Sequence, residues 1–162
     1  MRSEEALRHR LRALAELDVS EVAELCTDAR LERFDAGDIL FEAGAPQLWL
    51  GIVDSGEIDL VRPGALSARP SAERVTGGDL LGVGTLLDIE RHGSTGVARG
   101  VTEVWTIPVA TLNSLRRLLP ATHRRLAGVA LRCHTAWDGA LPLPGSSLPG
   151  LSPAAATYAD GV

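Results

Sequence analysis

Across residues 3–28 the apolar positions recur at helical spacing. Leu7, Leu11, Leu14 and Leu17 share one stripe, and Val22, Leu25 and Cys26 extend it past a break near Asp18–Ser20. The break reads as a fresh start, with Ser20 as N-cap and Glu21 and Glu24 in the first turn, so two short helices are expected. From Leu31 to Val109 the texture changes to short β-favouring runs separated by turn signals, and strands are expected at 31–34, 39–41, 48–53, 58–62, 74–76, 95–99 and 103–107. The stretch 63–71, rich in Pro, Ala and Ser, reads as a hairpin loop. Helical spacing returns after Pro108. Leu112, Leu115, Leu118 and Leu119 form one face until Pro120 interrupts it. A second helix then covers about 121–137, with Leu126, Val129, Ala130, Cys133 and Trp137 along one side.

Turn signals at such short intervals indicate an all-β barrel or roll between helical ends. Gly37, Gly44, Gly56 and Gly78 fall where the chain must reverse, and turns with positive φ select glycine. The organisation expected is a helical extension over 1–13, one domain over 14–138, and a tail over 139–162 rich in Pro, Gly and Ser. That tail reads as disordered or as an extended peptide.

Composition narrows the setting. Of 162 residues, 45% are apolar, enough for one core. No run approaches the roughly 20 apolar residues of a membrane span. The N-terminus has charges throughout and no apolar signal core, so a cytoplasmic protein is expected. A net charge of −5 argues against nonspecific nucleic-acid binding. Cys26 and Cys133 are far apart and outside any CxxC pair, which favours reduced thiols over a disulfide or a metal site.

Four words in order carry a resemblance: FDAGDILFEAGAP at 34–46, LGIVDSGEIDLV at 50–61, GGDLLGVGTLL at 77–87 and GSTGVA at 93–98. Together they resemble the cyclic-nucleotide-binding domain family of catabolite-activator-type regulators, kinase regulatory subunits and gated channels, over residues 14–137. The resemblance implies an α+β, mainly β fold: a double-stranded β-helix, or jelly-roll-like β-roll, flanked by N-terminal helices and two C-terminal helices. It also implies a phosphate cassette at 82–87, where a short helix turns its first N–H groups toward the cyclic phosphate. Gly82, Gly84, Thr85 and Leu86 retain that backbone. Val83 stands where the family carries a Glu for the ribose hydroxyl. Such a hydroxyl, buried against valine, forfeits a bond of about 1–3 kcal/mol. The family's phosphate-binding Arg falls on Gly93 when counted from Gly82 and on His92 when counted back from Pro108. Neither is Arg. Ser94 and Thr95 keep hydroxyls beside it. His92 and Arg91 read as solvated loop residues. The rescue left open is that Arg91 reaches inward from the loop, or that His92 carries charge below its pKa. Weak or absent cAMP and cGMP binding follows, and no cofactor is expected.

Effector chemistry is missing. Some 24 Pro-rich residues follow Trp137, which leaves no room for a DNA-binding helix-turn-helix. His9, His92, His123 and His134 have no metal partners at ligand spacing, and no catalytic motif appears, so a non-enzyme is expected. The stripe of Leu126, Val129, Ala130, Cys133 and Trp137 suits either a dimer seam or packing on its own roll. Two functions remain. One is an assembly module contacting another protein, or a second copy, through its terminal helices. The other is a small-molecule or cyclic-nucleotide sensor signalling through the C-terminal helix.

Overall fold

A computed structural model describes residues 2–62 and 72–138. The hairpin expected at 63–71 and the tail at 139–162 lie outside the described residues. The order is helix α1 (Arg2–Ala15), α2 (Val19–Cys26), strands β1 (Arg30–Phe34), β2 (Ile39–Phe41), β3 (Trp49–Ser55), β4 (Glu57–Val61), β5 (Ala72–Thr76) and β6 (Leu80–Leu81), a 3-10 turn (Val83–Leu86), β7 (Thr95–Ala98), β8 (Thr102–Pro108), α3 (Val109–Leu118) and α4 (Pro120–Asp138). All seven expected strands are present with small boundary shifts. Only β6 is additional, and its two residues are too few to show alternation.

The strands form two antiparallel four-stranded sheets, ordered β1-β8-β3-β6 and β2-β7-β4-β5. Alternation on β3 divides the core in two, because successive side chains leave opposite faces of a strand. Leu50 and Ile52 join Trp105 and Ile107 in a cluster under the helices, with Leu7, Leu11, Leu25, Leu112, Leu126 and Ala130. Val53 and Trp49 belong to the other cluster, inside the roll, with Ile58, Leu60, Val75, Leu81 and Val104.

Helix α1 is tied to this frame by more than Leu7 and Leu11. Arg10 Nη1 donates to the Val53 carbonyl at 2.7 Å, and Trp105 Nε1 donates to Ser3 Oγ at 2.9 Å. Helix α2 begins one turn signal earlier than the sequence pattern suggests. Asp18, not Ser20, is the N-cap: its carboxylate accepts from Glu21 N at 2.8 Å, while Glu21 Oε1 accepts from Asp18 N at 2.9 Å. This reciprocal capping box satisfies two helix-end donors at once, which a serine at position 20 does not match.

The four turn glycines all have positive φ, as expected. The steric need is plainest at Gly56, where φ is 96° and a Cβ would lie 2.7 Å from Thr102 Cα. Leu118 departs from the expected apolar face. Six residues on from Leu112 it is rotated by about 120° at 100° per residue, and it is 67% exposed while Leu112 and Leu115 are buried.

Candidate functional site

The cassette is entered through Gly82, in the left-handed region at φ 65° and ψ 32°. A Cβ there would strike the Trp49 carbonyl oxygen, so position 82 needs glycine on both counts. Thr85 closes the turn on itself: its N–H and its hydroxyl both donate to the Gly82 carbonyl, at 3.1 and 2.7 Å. Val83, Leu86 and Leu87 turn away from the roll and pack into the helical cluster.

Gln47 occupies the space over Gly84. Its Nε2 donates to the carbonyls of Ile89 at 3.1 Å and Arg91 at 3.0 Å, and a Cβ on Gly84 would run into that amide. Nothing in the sequence marks Gln47 as part of the site; the one hint is the small residue at 84. An open cleft of about 310 Å³ lies outside this bridge, lined by Gln47, Thr85, Asp88, Arg91 and Asn113 among others.

The segment before β7 is held against residues 44–47. Gly44 N donates to His92 O at 2.8 Å, His92 N to Ala45 O at 2.9 Å, and Gln47 N to Glu90 O at 2.7 Å. Strand-like alternation follows, with His92, Ser94, Gly96 and Ala98 buried and Arg91 and Gly93 exposed. Arg91 lies along the outside, its Nη1 donating to Gly44 O at 2.8 Å. A Cβ added at Gly93 would meet no heavy atom within 4 Å, so its side-chain direction is open space. Thr95 Oγ1 accepts from Ala43 N at 3.0 Å.

His92 is not the solvated loop residue expected from the sequence. It is 8% exposed and stacks on Phe41, with centroids 4.0 Å apart and planes 16° from parallel. Phe41 in turn meets Trp49 edge-on at 5.9 Å. Burial pushes the imidazole pKa down to about 4, because desolvation disfavours the cation. Of the two positions reached by counting, then, Gly93 faces out without a side chain, and His92 faces in without a charge at neutral pH.

Helix α4 lies against the cassette. Leu126, Val129 and Ala130 are buried in their own chain beside Val83, Leu86 and Leu87, with Cys133 packed at the margin. These residues of the stripe thus pack within their own chain. The side chains of His134 and Trp137 lie outside the described residues. Both cysteines are free and half-buried, and burial raises both thiol pKa values. Two polar contacts brace the arrangement. Arg116 of α3 grips Asp88 bidentately at 2.8 and 3.2 Å and holds its carboxyl below the usual range. Glu21 of α2 accepts from Thr122 Oγ1 and Arg125 of α4; with the Asp18 N–H, these bonds lower its pKa too. His123 is buried nearby, its pKa lowered by desolvation and by Arg116. No helix among the described residues is long and apolar enough to cross a membrane.

Two antiparallel sheets rolled about an apolar interior, with a glycine-entered turn docked on terminal helices, define a cyclic-nucleotide-binding-type β-roll. The chain belongs to the cyclic nucleotide-binding domain family, whose model matches residues 31–117, a little over half of its length. It is similar to a putative cyclic nucleotide-binding protein from Geobacter metallireducens GS-15, at TM-score 0.71 and 20% identity, covering 84% of this chain and 98% of that one. It is similar to the catabolite activator protein of Thermus thermophilus at TM-score 0.65 and 25% identity, covering 80% of this chain but only 60% of that one. A third similar structure is the regulatory subunit of a cAMP-independent protein kinase A from Trypanosoma brucei, a triple mutant bound to cAMP in its A site. There the TM-score is 0.65, the identity 18%, and the coverage 85% of this chain and 51% of that one. Among curated proteins none matches.

Proposed function

We propose that this chain is a non-enzymatic regulatory or assembly module, cytoplasmic, that keeps the cyclic-nucleotide-binding fold as a scaffold for protein contacts and binds cAMP or cGMP weakly or not at all. The observation that carries this reading is His92: the side chain facing the roll from the phosphate-gripping position is neutral at pH 7 and already stacked on Phe41. A phosphodiester needs a charge-assisted donor there, and protonating a buried imidazole to supply one runs against its desolvation. Val83 adds no acceptor for a ribose hydroxyl and is engaged with the helices. The Trypanosoma kinase whose regulatory subunit has this fold is described as cAMP-independent, and it is a triple mutant of that subunit that is bound to cAMP.

The test is thermal unfolding with millimolar cAMP and cGMP. A ligand at 100 times its dissociation constant stabilises by about 2.7 kcal/mol, so a clear rise in melting temperature would sink the reading; no rise is expected. His92→Arg is the gain-of-binding control, because position 92 is the one whose side chain faces the roll, whereas position 93 faces out.

The packing of α4 on the cassette favours one second reading, a sensor in which a small molecule displacing Gln47 or His92 moves α4. Ligand-dependent hydrogen exchange confined to α4 and residues 82–92 is its signature.

A further inference from the structure

Helices α2 and α3 form the walls of a groove of about 420 Å³, floored by Leu115 and Leu119 and edged by Glu24, Asp28, Ser114 and Leu118. The helices run antiparallel. Thr111 Oγ1 donates to Asp28 at 3.1 Å where α3 begins and α2 has just ended, and Glu21 near the start of α2 holds Thr122 just beyond the end of α3. Leu118 therefore stands near the start of α2, 67% exposed, a large apolar side chain without cover.

The two walls differ in charge. Leu112, Leu115 and Leu119 mark the core side of α3, and at 100° per residue Arg117 points away from them into solvent. Arg117 makes one long contact, to Ser114 Oγ at 3.4 Å. On α2 the buried Val22 and Leu25 leave Glu24 on the solvent side by the same geometry. So α2 carries an acid at the edge of the groove, and α3 carries a base on its solvent side just outside the lining, within a turn of each other along the antiparallel pair.

We infer that this groove is a self-association surface whose occupant is a second copy of the chain, related by a two-fold axis along the groove. That axis lays α3 of each copy on α2 of the other. It sets Arg117 of each against Glu24 of the other, and brings the two Leu118 side chains together at the axis, which covers them. Such a patch is self-complementary, as an isologous interface must be. The interface deepens the assembly reading, on which it rests, by naming its partner. It is separate from the buried stripe of α4, which already serves the chain's own core.

The experiment is sedimentation velocity of the full chain across a wide concentration range. The wild type should shift from monomer toward dimer as concentration rises. Leu118→Glu, which places two carboxylates at the axis, should stay monomeric throughout. Arg117→Glu and Glu24→Arg should each weaken dimerisation by about threefold or more, since each removes two surface pairs per dimer, and the double exchange should restore it. Circular dichroism and melting establish that each variant is folded, and Leu118→Ser repeats the test with a smaller change. A wild type that remains monomeric, a Leu118→Glu chain that dimerises normally, or a monomer held through Leu118 by a different protein overturns the inference. The assembly reading fails separately: stabilisation of the Leu118→Glu monomer by a cyclic nucleotide would remove the nucleotide-free function and leave the interface standing.

Discussion

The His92 imidazole lies 4.0 Å from the Phe41 ring and nearly parallel to it, closed from water inside the roll. Its pKa of about 4 in the folded chain lies below the ordinary 6.5, so folding excludes a proton that the unfolded chain takes up. The stability this contributes is complete above pH 6.5 and is lost as the pH falls toward 4, by about 3 kcal/mol in all. His92→Phe keeps the stack and removes the titration. Urea unfolding at pH 7 and pH 4 should show the variant losing less stability than the wild type by about that amount. Buried His123 and the lowered carboxylates of Glu21 and Asp88 titrate in both proteins, so the difference isolates His92. Equal losses would mean that position 92 is open to water.

Gln47 and Gly84 should be coupled. The Gln47 amide fills the space a side chain at 84 needs, so Gly84→Ala should destabilise by about 1–3 kcal/mol through overpacking. In a Gln47→Ala background the same change should cost less, what remains being the approach of the new Cβ to Ile89 Cβ at 2.9 Å. A double-mutant cycle by denaturant unfolding reads the interaction directly, and additive effects would contradict the packing.

Glu21 serves two elements, capping α2 and receiving Thr122 and Arg125 from α4. Glu21→Ala removes the box and leaves the buried Thr122 hydroxyl without its acceptor, and should cost about 1–3 kcal/mol. Glu21→Gln keeps an acceptor oxygen and should lose less. Chemical denaturation of the pair establishes the order.

Helix α1 should be indispensable to the fold. Leu7 and Leu11 are each 1% exposed in the cluster that also holds Leu126 and Ala130. Leu11→Ala should cost about 2–5 kcal/mol. Removing residues 1–13 should leave a chain that unfolds at much lower temperature, with Trp105 fluorescence shifted as its indole loses Ser3. A truncated chain as stable as the full one would mean that the extension is dispensable.

Much of the fold is legible in the sequence because its signals are local. Alternation along β3, positive-φ glycines at reversals and the helical stripes of α1 and α4 depend on residues a few positions apart. The N-cap of α2 is not legible in this way, because Asp18 and Ser20 are both good caps and only the reciprocal bond with Glu21 separates them. Leu118 reads as one of the buried leucines because a run of leucines hides a rotation of about 120°.

The site divides the same way. Composition of the cassette alone removes the carboxylate at Val83 and the arginine at Gly93 or His92, and with them the charged grip on a phosphate. What the chain does with the vacated space is not a local property. His92 closes on Phe41 from 51 positions away, Gln47 crosses to the carbonyls of Ile89 and Arg91, and Leu126 meets Leu86 across 40 residues. Such contacts follow from which strands lie side by side, and a strand's neighbours are chosen by the packing of the whole roll. Local pattern sets the scaffold and the missing charges; only packing across the whole roll turns His92 inward, where it stays neutral, and buries Leu126, Val129 and Ala130 of α4 within their own chain.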